Sequence, residues 1–512
     1  MTHRLGLTTA VAAAACLAAG IPAATASPAA PDGPMVSKAP ESAFTAASAA
    51  ADPVACARPA PDGRVSTTLH CYAPNDIRAH YGLSPLTPAT TDGAGQTIVL
   101  VDSYGSPTAE QDVNAFASTF DGPTPDFEAV FPGGTIDYSH ATGNGSGTSG
   151  PTAAAGWAGE ANLDVQWAYA IAPKAHIVLV ATKPAETQGV QGMPNFMKAI
   201  DWAINRYPAG TVFSMSFGTD ESAFGGASTA KQFARFDQTF QRGLAKHDTF
   251  FASSGDEGSI GVSRAHHQTA TVDHPATSYP NTSPYVTSVG GTQLQYGWTW
   301  NPTVDKPFND NGSRNTDYWG WTQGGDSEAV WNESWAGIGT GGGLSSVYSR
   351  PSFQDSVSSV VGSHRGVPDL AWNAAVNGGV LVYRTYFPEL DGPASFGVFG
   401  GTSAASPQAA ALTAIANAAR KTAGKDGIGN LNEVIYGSSF AHSSAFLDIV
   451  PQTYGTAPSG VLENNRMWDT RADGFVTPDP VPGFPTTTGY DLTTGWGTPK
   501  APGYVAALTA AP

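Results

Sequence analysis

Gly400-Gly401-Thr402-Ser403-Ala404-Ala405-Ser406-Pro407 is the stretch from which the rest of the chain can be read. A glycine pair runs into a Thr-Ser step, and an alanine-rich helical pattern follows from Ala404 to about Arg420. Such a turn can present a serine oxygen at a helix N-terminus, where free N–H groups and the dipole favour developing negative charge. Pro407 is compatible with that start, because N–H groups of the first helical turn have no intrahelical partner. In isolation the stretch reads more simply as a serine N-cap behind a glycine turn. Matching partners elsewhere in the chain decide between the two.

Composition narrows the field. The 512 residues can bury a large core, as one big α/β domain or two smaller ones. There are 42 acidic and 25 basic residues, a net charge of −17, which argues against a nucleic acid or an acidic membrane as partner. Charged residues make up only 13 %, while 59 glycines and 39 prolines point to a loop-rich globular protein. So few bases limit positive self-repulsion once carboxylates protonate, which is compatible with working in acid.

His3 and Arg4 precede an apolar run, Leu5 to Ile21, that ends near Ala24-Thr25-Ala26. This is the pattern of a signal peptide over residues 1–26, so the protein is expected to be secreted. No later segment has enough uninterrupted apolar residues to span a bilayer, so no membrane partner is expected. Cys16 leaves with the signal, and Cys56 with Cys71 is expected to form a disulfide in an oxidising compartment. Closing so short a loop contributes on the order of 3 kcal/mol at most. Residues 27–70, rich in Ala, Pro and Ser, read as a disordered linker or short propiece, and 71–512 as the folded domain.

Within that domain strands and helices alternate. Strands are expected at Thr97–Val101, His176–Ala181, Val212–Ser216, Thr249–Ser253 and Phe396–Phe399, and helices at Glu160–Ala170, Met193–Tyr207 and Lys231–His247. The alternation predicts an α/β fold with a mostly parallel central sheet and helices on both faces. In such a fold ligands bind beyond the carboxyl ends of the strands, where Asp102 and Asp256 fall. Two stretches read as loop insertions. Gln295 to Asp326 holds Trp298, Trp300, Trp319 and Trp321, and Gln452 to Thr486 holds Trp468. The tryptophans either line a substrate or carbohydrate surface or pin long loops to the domain.

A nucleophilic serine needs a base, and histidine is the usual one. Gly-Thr-Ser-x-x-x-Pro at a helix start is the serine signature of the subtilisin fold, whose partner histidine stands in a His-Gly-Thr-His segment. None of the eleven histidines here has that setting, and His80, His140 and His176 read as structural. Instead, Gly156-Trp157-Ala158-Gly159-Glu160-Ala161-Asn162-Leu163-Asp164-Val165-Gln166-Trp167-Ala168 occupies that place. Glu160 and Asp164, four apart, share a face of a helix too apolar to be a solvated element. Two close carboxyls in a low-dielectric site share a proton, so Glu160 can serve as base to Ser403 with Asp164 orienting it.

The segments at 159–168 and 400–407 resemble the signatures of the sedolisins, or serine-carboxyl peptidases. The resemblance covers about residues 71–510 and implies a subtilisin-like fold with a Ser-Glu-Asp triad suited to acid. It implies that Asp256, in the turn Ser254-Gly255-Asp256, meets the oxyanion as a protonated carboxyl. Ser214–Gly218 is similar to the family's substrate-pairing strand, which makes Ser216 and Gly218 substrate-binding candidates. Asp102 stands where related enzymes carry an acidic residue, as a second carboxylate behind the triad or as a cap for the loop 102–105. At the C-terminus Asp448, Ile449, Thr487, Gly489 and Asp491 resemble the family's calcium site, implying one structural Ca2+. Thr487 replaces the family's usual glycine, but its ligand would be a backbone carbonyl. The family's large folded propeptide has no counterpart between residues 27 and 70. Either the domain folds unaided, or the helper is separate, or latency is achieved differently.

Taken together, the expectation is a secreted, monomeric acid endopeptidase acting on peptides or proteins. The mode could also be removal of short peptides from N-termini. The alternative from another class is a catalytically idle peptide- or glycan-binding protein on the same fold.

Overall fold

The computed structural model describes residues 44–45, 71–86, 92–138, 151–182, 189–265, 268–271, 274–300, 321–333, 337–386, 395–437, 440, 444–453, 461–470, 476–478 and 481–512. The expected signal peptide, most of the 27–70 segment, Cys56, His140 and Trp319 lie outside the described residues. Cys71 is disulfide-bonded. Phe44–Thr45 pair antiparallel with Ser395–Phe399, Phe44 opposite Phe396.

Eight of the described strands form the central sheet: β1 (Thr97–Ser103), β2 (Asp126–Val130), β3 (His176–Thr182), β4 (Val212–Met215), β5 (Thr249–Ser253), β6 (Thr287–Trp300), β7 (Trp321–Val330) and β8 (Leu370–Asn373). Their order is β7-β6-β5-β4-β1-β3-β2, with β8 also paired to β6. Every pairing is parallel except the β6–β7 hairpin. Both faces are covered, as parallel sheets require. Along β1 the alternation is visible in packing: Ile98 and Leu100 join one core cluster, Val99 and Val101 the other.

The first face carries α1 (Pro151–Ile171) and α4 (Thr402–Thr422), and the second carries α2 (Met193–Arg206) and α3 (Thr229–Leu244). From Trp157 to Ile171 α1 is buried on every side, as a helix apolar all round must be. Trp167 Nε1 donates to the Leu381 carbonyl at 2.8 Å and Gln166 Nε2 to that of Tyr383 at 2.7 Å, which fixes the rotation of α1. That rotation determines where Glu160 and Asp164 point. Among the described residues no helix is long and apolar enough to cross a membrane.

Two expectations change. Asp102 lies inside β1 rather than beyond its end, because the strand continues to Ser103 in register with Thr182. The Trp-rich stretch is not simply a loop: β6 and β7 run on as an antiparallel ribbon in which Trp300 faces Trp321 across the ladder. Residues 301–320 lie outside the described residues. The second insertion is pinned by buried Asn465, whose Nδ2 donates to the Thr340 carbonyl at 3.1 Å. The carbonyl of Asn465 accepts from Ser259 N–H at 3.0 Å, so this insertion packs on the segment after Asp256.

Candidate active site

β5, β4 and β1 are neighbours, and their C-terminal ends converge on the first turn of α4 and the middle of α1. Specific bonds tie these pieces together. Ser214 Oγ in β4 meets Ser406 Oγ in α4 at 2.8 Å, and Ser216 Oγ donates to Asp164 Oδ1 in α1 at 3.0 Å.

Ser403 sits in the first turn of α4 behind Gly401, whose φ is 100°. Glycine is required there twice over. The backbone is left-handed, and a Cβ would stand 2.7 Å from Asp256 Oδ2. Gly401 provides no side-chain cap, and the acceptor comes instead from Asp256 beyond β5. Asp256 Oδ1 accepts from the Thr402 N–H at 2.7 Å and from Thr402 Oγ1 at 2.8 Å, and Thr402 Oγ1 accepts from the Gly255 N–H at 3.1 Å. With Oδ1 engaged twice, a proton on Asp256 belongs on Oδ2, the oxygen beside Gly401.

The Ser403 hydroxyl is fully buried. It lies near enough to the Glu160 carboxyl to favour its ionised form, yet outside full hydrogen-bond geometry. Burial, then the charge of Asp102, pushes Glu160 well above the ordinary carboxyl range. Ser403 opposes this, Asp256 adds to it, and Ser216 opposes it. Asp164 is pushed the same way by burial, then by the charges of Asp102 and Glu160, against the Ser216 hydroxyl. Burial alone raises Asp102 to about 8.

One oxygen of Glu160, one of Asp164 and both of Asp102 are buried without a donor. As ions these groups would cost several kcal/mol, so burial favours their protonated forms. The charge of Asp102 acts on Glu160 and Asp164, and that of Glu160 on Asp164, so the three carboxyls titrate as a set. Asp102 caps nothing, since neither of its oxygens receives a bond, and the loop-capping reading is withdrawn.

Ser216, expected as a substrate-binding residue, turns its side chain to Asp164 instead and is fully buried. Gly218 lies against the strand Ser278–Tyr279, where a Cβ would be 3.2 Å from the Tyr279 carbonyl oxygen. Thr402, which holds Asp256, was not singled out from the sequence although it lies within the opening stretch. Its hydroxyl beside the nucleophile was the available signal.

His80 and His176 are engaged elsewhere. His80 bridges Asp326 at 3.1 Å and Glu328 at 3.2 Å, and His176 bridges Asp126 at 3.0 Å and Glu128 at 3.2 Å. A cavity of about 640 Å³ near His176, Thr97 and Tyr207 opens at the opposite end of the sheet and contains none of the candidate residues.

At the C-terminus the turn 487–491 brings two carboxylates together. Asp448 Oδ2 accepts from the Gly489 N–H at 2.9 Å, and Asp491 Oδ2 from the Thr487 N–H at 3.0 Å. Asp491 Oδ1 is held by the N–H groups of Thr493 at 2.9 Å and Thr494 at 2.7 Å. The positive φ of the turn, 83°, falls on Gly489, so Thr487 keeps an ordinary backbone. Two carboxylates and backbone carbonyls, Ile449 included, suit a hard cation such as calcium. Among the described residues no three His, Cys, Asp or Glu side chains converge on one metal position, so carbonyls would complete the set.

Residues 126–431 match the family described as the Subtilase family. Kumamolisin of Bacillus sp. (strain MN-32) is 28 % identical over 376 residues, covering 71 % of this chain and 55 % of the relative. Human tripeptidyl-peptidase 1 is 26 % identical over 366 residues, 68 % of this chain and 51 % of the relative. The chain spans about half the length of these curated relatives. In three dimensions it matches the structure of Pseudomonas sedolisin, a serine-carboxyl proteinase complexed with two molecules of pseudo-iodotyrostatin. That match has a TM-score of 0.58 at 23 % identity and covers 86 % of this chain and 98 % of the other.

Proposed function

The chain belongs to the subtilase family, with sedolisin- and kumamolisin-like serine-carboxyl peptidases as its relatives, and on that premise we propose that it hydrolyses peptide bonds in acid. The observation that carries this reading is a buried serine at a helix start beside a cluster of buried carboxyls, with no histidine partner among the described residues. Ser403 Oγ attacks the scissile carbonyl carbon while Glu160 takes its proton. Asp164 and Asp102 hold Glu160 in place and share the protons of the cluster. Asp256 donates from Oδ2 to the oxygen that becomes negative. Collapse of the adduct breaks the C–N bond, and Glu160 returns the proton to the leaving amine. Water then repeats the sequence on the acyl-enzyme.

Both ends of the pH range limit this chemistry. Glu160 must be ionised to act as base, while Asp256 must keep a proton to donate. Hydrolysis of a peptide substrate followed from pH 3 to 8 should therefore give a bell, falling on its lower limb as Glu160 is protonated and on its upper limb as Asp256 loses its proton. Burial of Glu160 moves the lower limb upward, and the likeness to a serine-carboxyl proteinase is what supports placing the optimum below neutrality. Asp256→Asn keeps a donor but one fixed in place, and kcat is expected to fall by about 100- to 1,000-fold. An optimum above neutrality, or Asp256→Asn with full activity, would overturn the assignment. Internal cleavage is the proposed mode. Internal fragments from a long peptide support it, and successive tripeptides, the activity named for the human relative, refute it.

We also propose that Asp448 and Asp491, with the carbonyls of Ile449, Thr487 and Gly489, hold one calcium ion. When bound, it would supply positive charge that ties the turn 487–491 to the strand end at Leu447. Chelation is expected to lower Tm by several degrees and added Ca2+ to restore it. In Asp491→Asn the response to chelator should disappear, and a chelator response that survives there would refute the site.

A further inference from the structure

Glu333 is fully buried, and its carboxylate is held at both oxygens. Oε1 accepts from the Asn377 N–H at 2.7 Å, and Oε2 accepts from the Val376 N–H at 2.7 Å and from Trp331 Nε1 at 2.8 Å. Bonds of this length to a carboxylate are of the strong, charge-assisted kind, and burial removes the water that could replace them. One side chain thus fixes the turn 374–377 that follows β8.

What that turn holds is the glycine pair in front of the nucleophile. The Ala374 carbonyl accepts from the Gly401 N–H at 2.7 Å. A Cβ on Gly400 would stand 2.6 Å from the Ala375 carbonyl oxygen and 2.7 Å from that of Ala374, so the backbone at 400 lies directly on the turn. The turn is also tied to the sheet, since the Ala374 N–H donates to the Thr292 carbonyl at 2.8 Å. A shift of Val376 and Asn377 is therefore passed to Gly400 and Gly401, and from there to Ser403.

The backbone of Glu333 leads to the other half of the site. Asn332–Glu333 pairs antiparallel with Ile338–Gly339, Glu333 opposite Ile338. The Gly339 N–H donates to the Asp256 carbonyl at 2.8 Å, and the Gly339 carbonyl accepts from the Gly258 N–H at 3.0 Å. Close by, the Gly341 N–H donates to the Gly255 carbonyl at 2.7 Å. With its main chain on one side and its carboxylate on the other, Glu333 stands between the turn that carries Asp256 and the turn that carries Ser403. We propose that Glu333 is a positioning residue, which sets the distance between the attacking oxygen of Ser403 and the donating oxygen of Asp256. The proposal rests on the reading of these two as nucleophile and oxyanion donor. Thr402 bonds Asp256 Oδ1 directly, whereas Glu333 holds the two backbones from which the side chains project.

Glu333→Gln keeps the size and one acceptor oxygen, but its Nε2 faces the N–H of Val376 or Asn377 and cannot accept from it. On a peptide substrate at acid pH, kcat is expected to fall by about 10- to 100-fold while KM stays within about 2-fold, the cost of misplacing reacting groups by about 1 Å. A peptide aldehyde of the same sequence gives the second readout. Addition of the Ser403 O–H across its C=O bond forms a C–O bond and a hemiacetal, whose oxygen lies where Asp256 donates. Glu333→Gln should weaken the aldehyde by the same factor as kcat and leave the corresponding peptide alcohol, which cannot add, bound as before. An unchanged kcat, a loss confined to KM, or equal weakening of aldehyde and alcohol overturns the proposal and leaves the peptidase reading standing. If Glu333→Gln does not fold, Trp331→Phe keeps a buried ring and removes only the Nε1 donor. It should lower kcat and aldehyde affinity together by about 2- to 10-fold, the worth of one hydrogen bond, and wild-type values there overturn the proposal. If the wild-type protein binds the aldehyde without cleaving peptides, the ratio of aldehyde to alcohol affinity decides. If it does neither, the peptidase reading fails and the proposal falls with it.

Discussion

Ser403→Ala is expected to lower kcat by about a million-fold at the acid optimum while leaving Tm unchanged. The size follows from the way nucleophile and base act as a unit, so that losing the attacking oxygen costs about as much as losing the whole set. What remains is the rate enhancement from oxyanion stabilisation and substrate binding. The absence of a stability effect follows from this chain's own geometry. Ser403 Oγ is buried but makes no bond of full hydrogen-bond geometry, so alanine removes no bond and frees no partner. The N-terminus of α4 is held by Asp256 through Thr402, and Ser406 is anchored on Ser214, so the helix start stays in place. Activity at the wild-type level in Ser403→Ala, measured on the same peptide and at the same acid pH, would assign the hydrolysis to another centre. A large fall in Tm would show that the hydroxyl has a structural task the geometry does not reveal.

The parts of the site that were legible in the sequence are those written contiguously. Ser403 is marked by its own glycine turn, Glu160 and Asp164 by one helical spacing, and Asp256 by a turn at the end of an apolar run. The strands were legible for a similar reason, since Thr97–Val101 and Thr249–Ser253 are apolar runs bounded by turn residues. Partnerships across long sequence separations were not. Ser216 turns to Asp164, 52 positions away, and nothing in Ser214–Gly218 distinguishes a hydroxyl facing a carboxyl from one facing substrate. Asp102 looked like a loop residue because a charged side chain ends most apolar runs. The strand in fact carries it inside, where burial raises it to about 8. The β6–β7 ribbon was missed because its strand pattern contains glycine and tryptophan among polar residues, a composition that also describes loops.

Raising the pH from 4 to 8 should destabilise the fold as well as stop the chemistry, and the two losses can be told apart. Besides Asp102, burial lifts Asp237 to about 6 against hydrogen bonds from Tyr348, Ser283 and Tyr279. It lifts Asp248 to about 7 against Lys246 and the N–H groups of Thr211 and Gly210. Asp248 Oδ1 accepts from the Thr211 N–H at 3.0 Å, but its Oδ2 has no donor. In the unfolded chain all three ionise at about 3.9. Between that value and the folded value, the folded state binds a proton that the unfolded state has released, so stability falls as pH rises. The contribution is complete below about pH 4 and is lost as pH passes about 6 for Asp237, 7 for Asp248 and 8 for Asp102. Each unit of separation is worth about 1.4 kcal/mol, so each group contributes a few kcal/mol against a net stability of about 5–15 kcal/mol. Thermal melts should show Tm falling steadily from pH 4 to pH 8. Asp248 precedes β5 at the end of the sheet away from Ser403. Asp248→Asn should therefore flatten the melt profile between pH 4 and 7 while leaving the acid pH–rate profile in place. A Tm that is constant or rises toward pH 8 would mean that these carboxyls ionise without cost in the folded protein, and that acid preference resides in the chemistry of Glu160 and Asp256 alone.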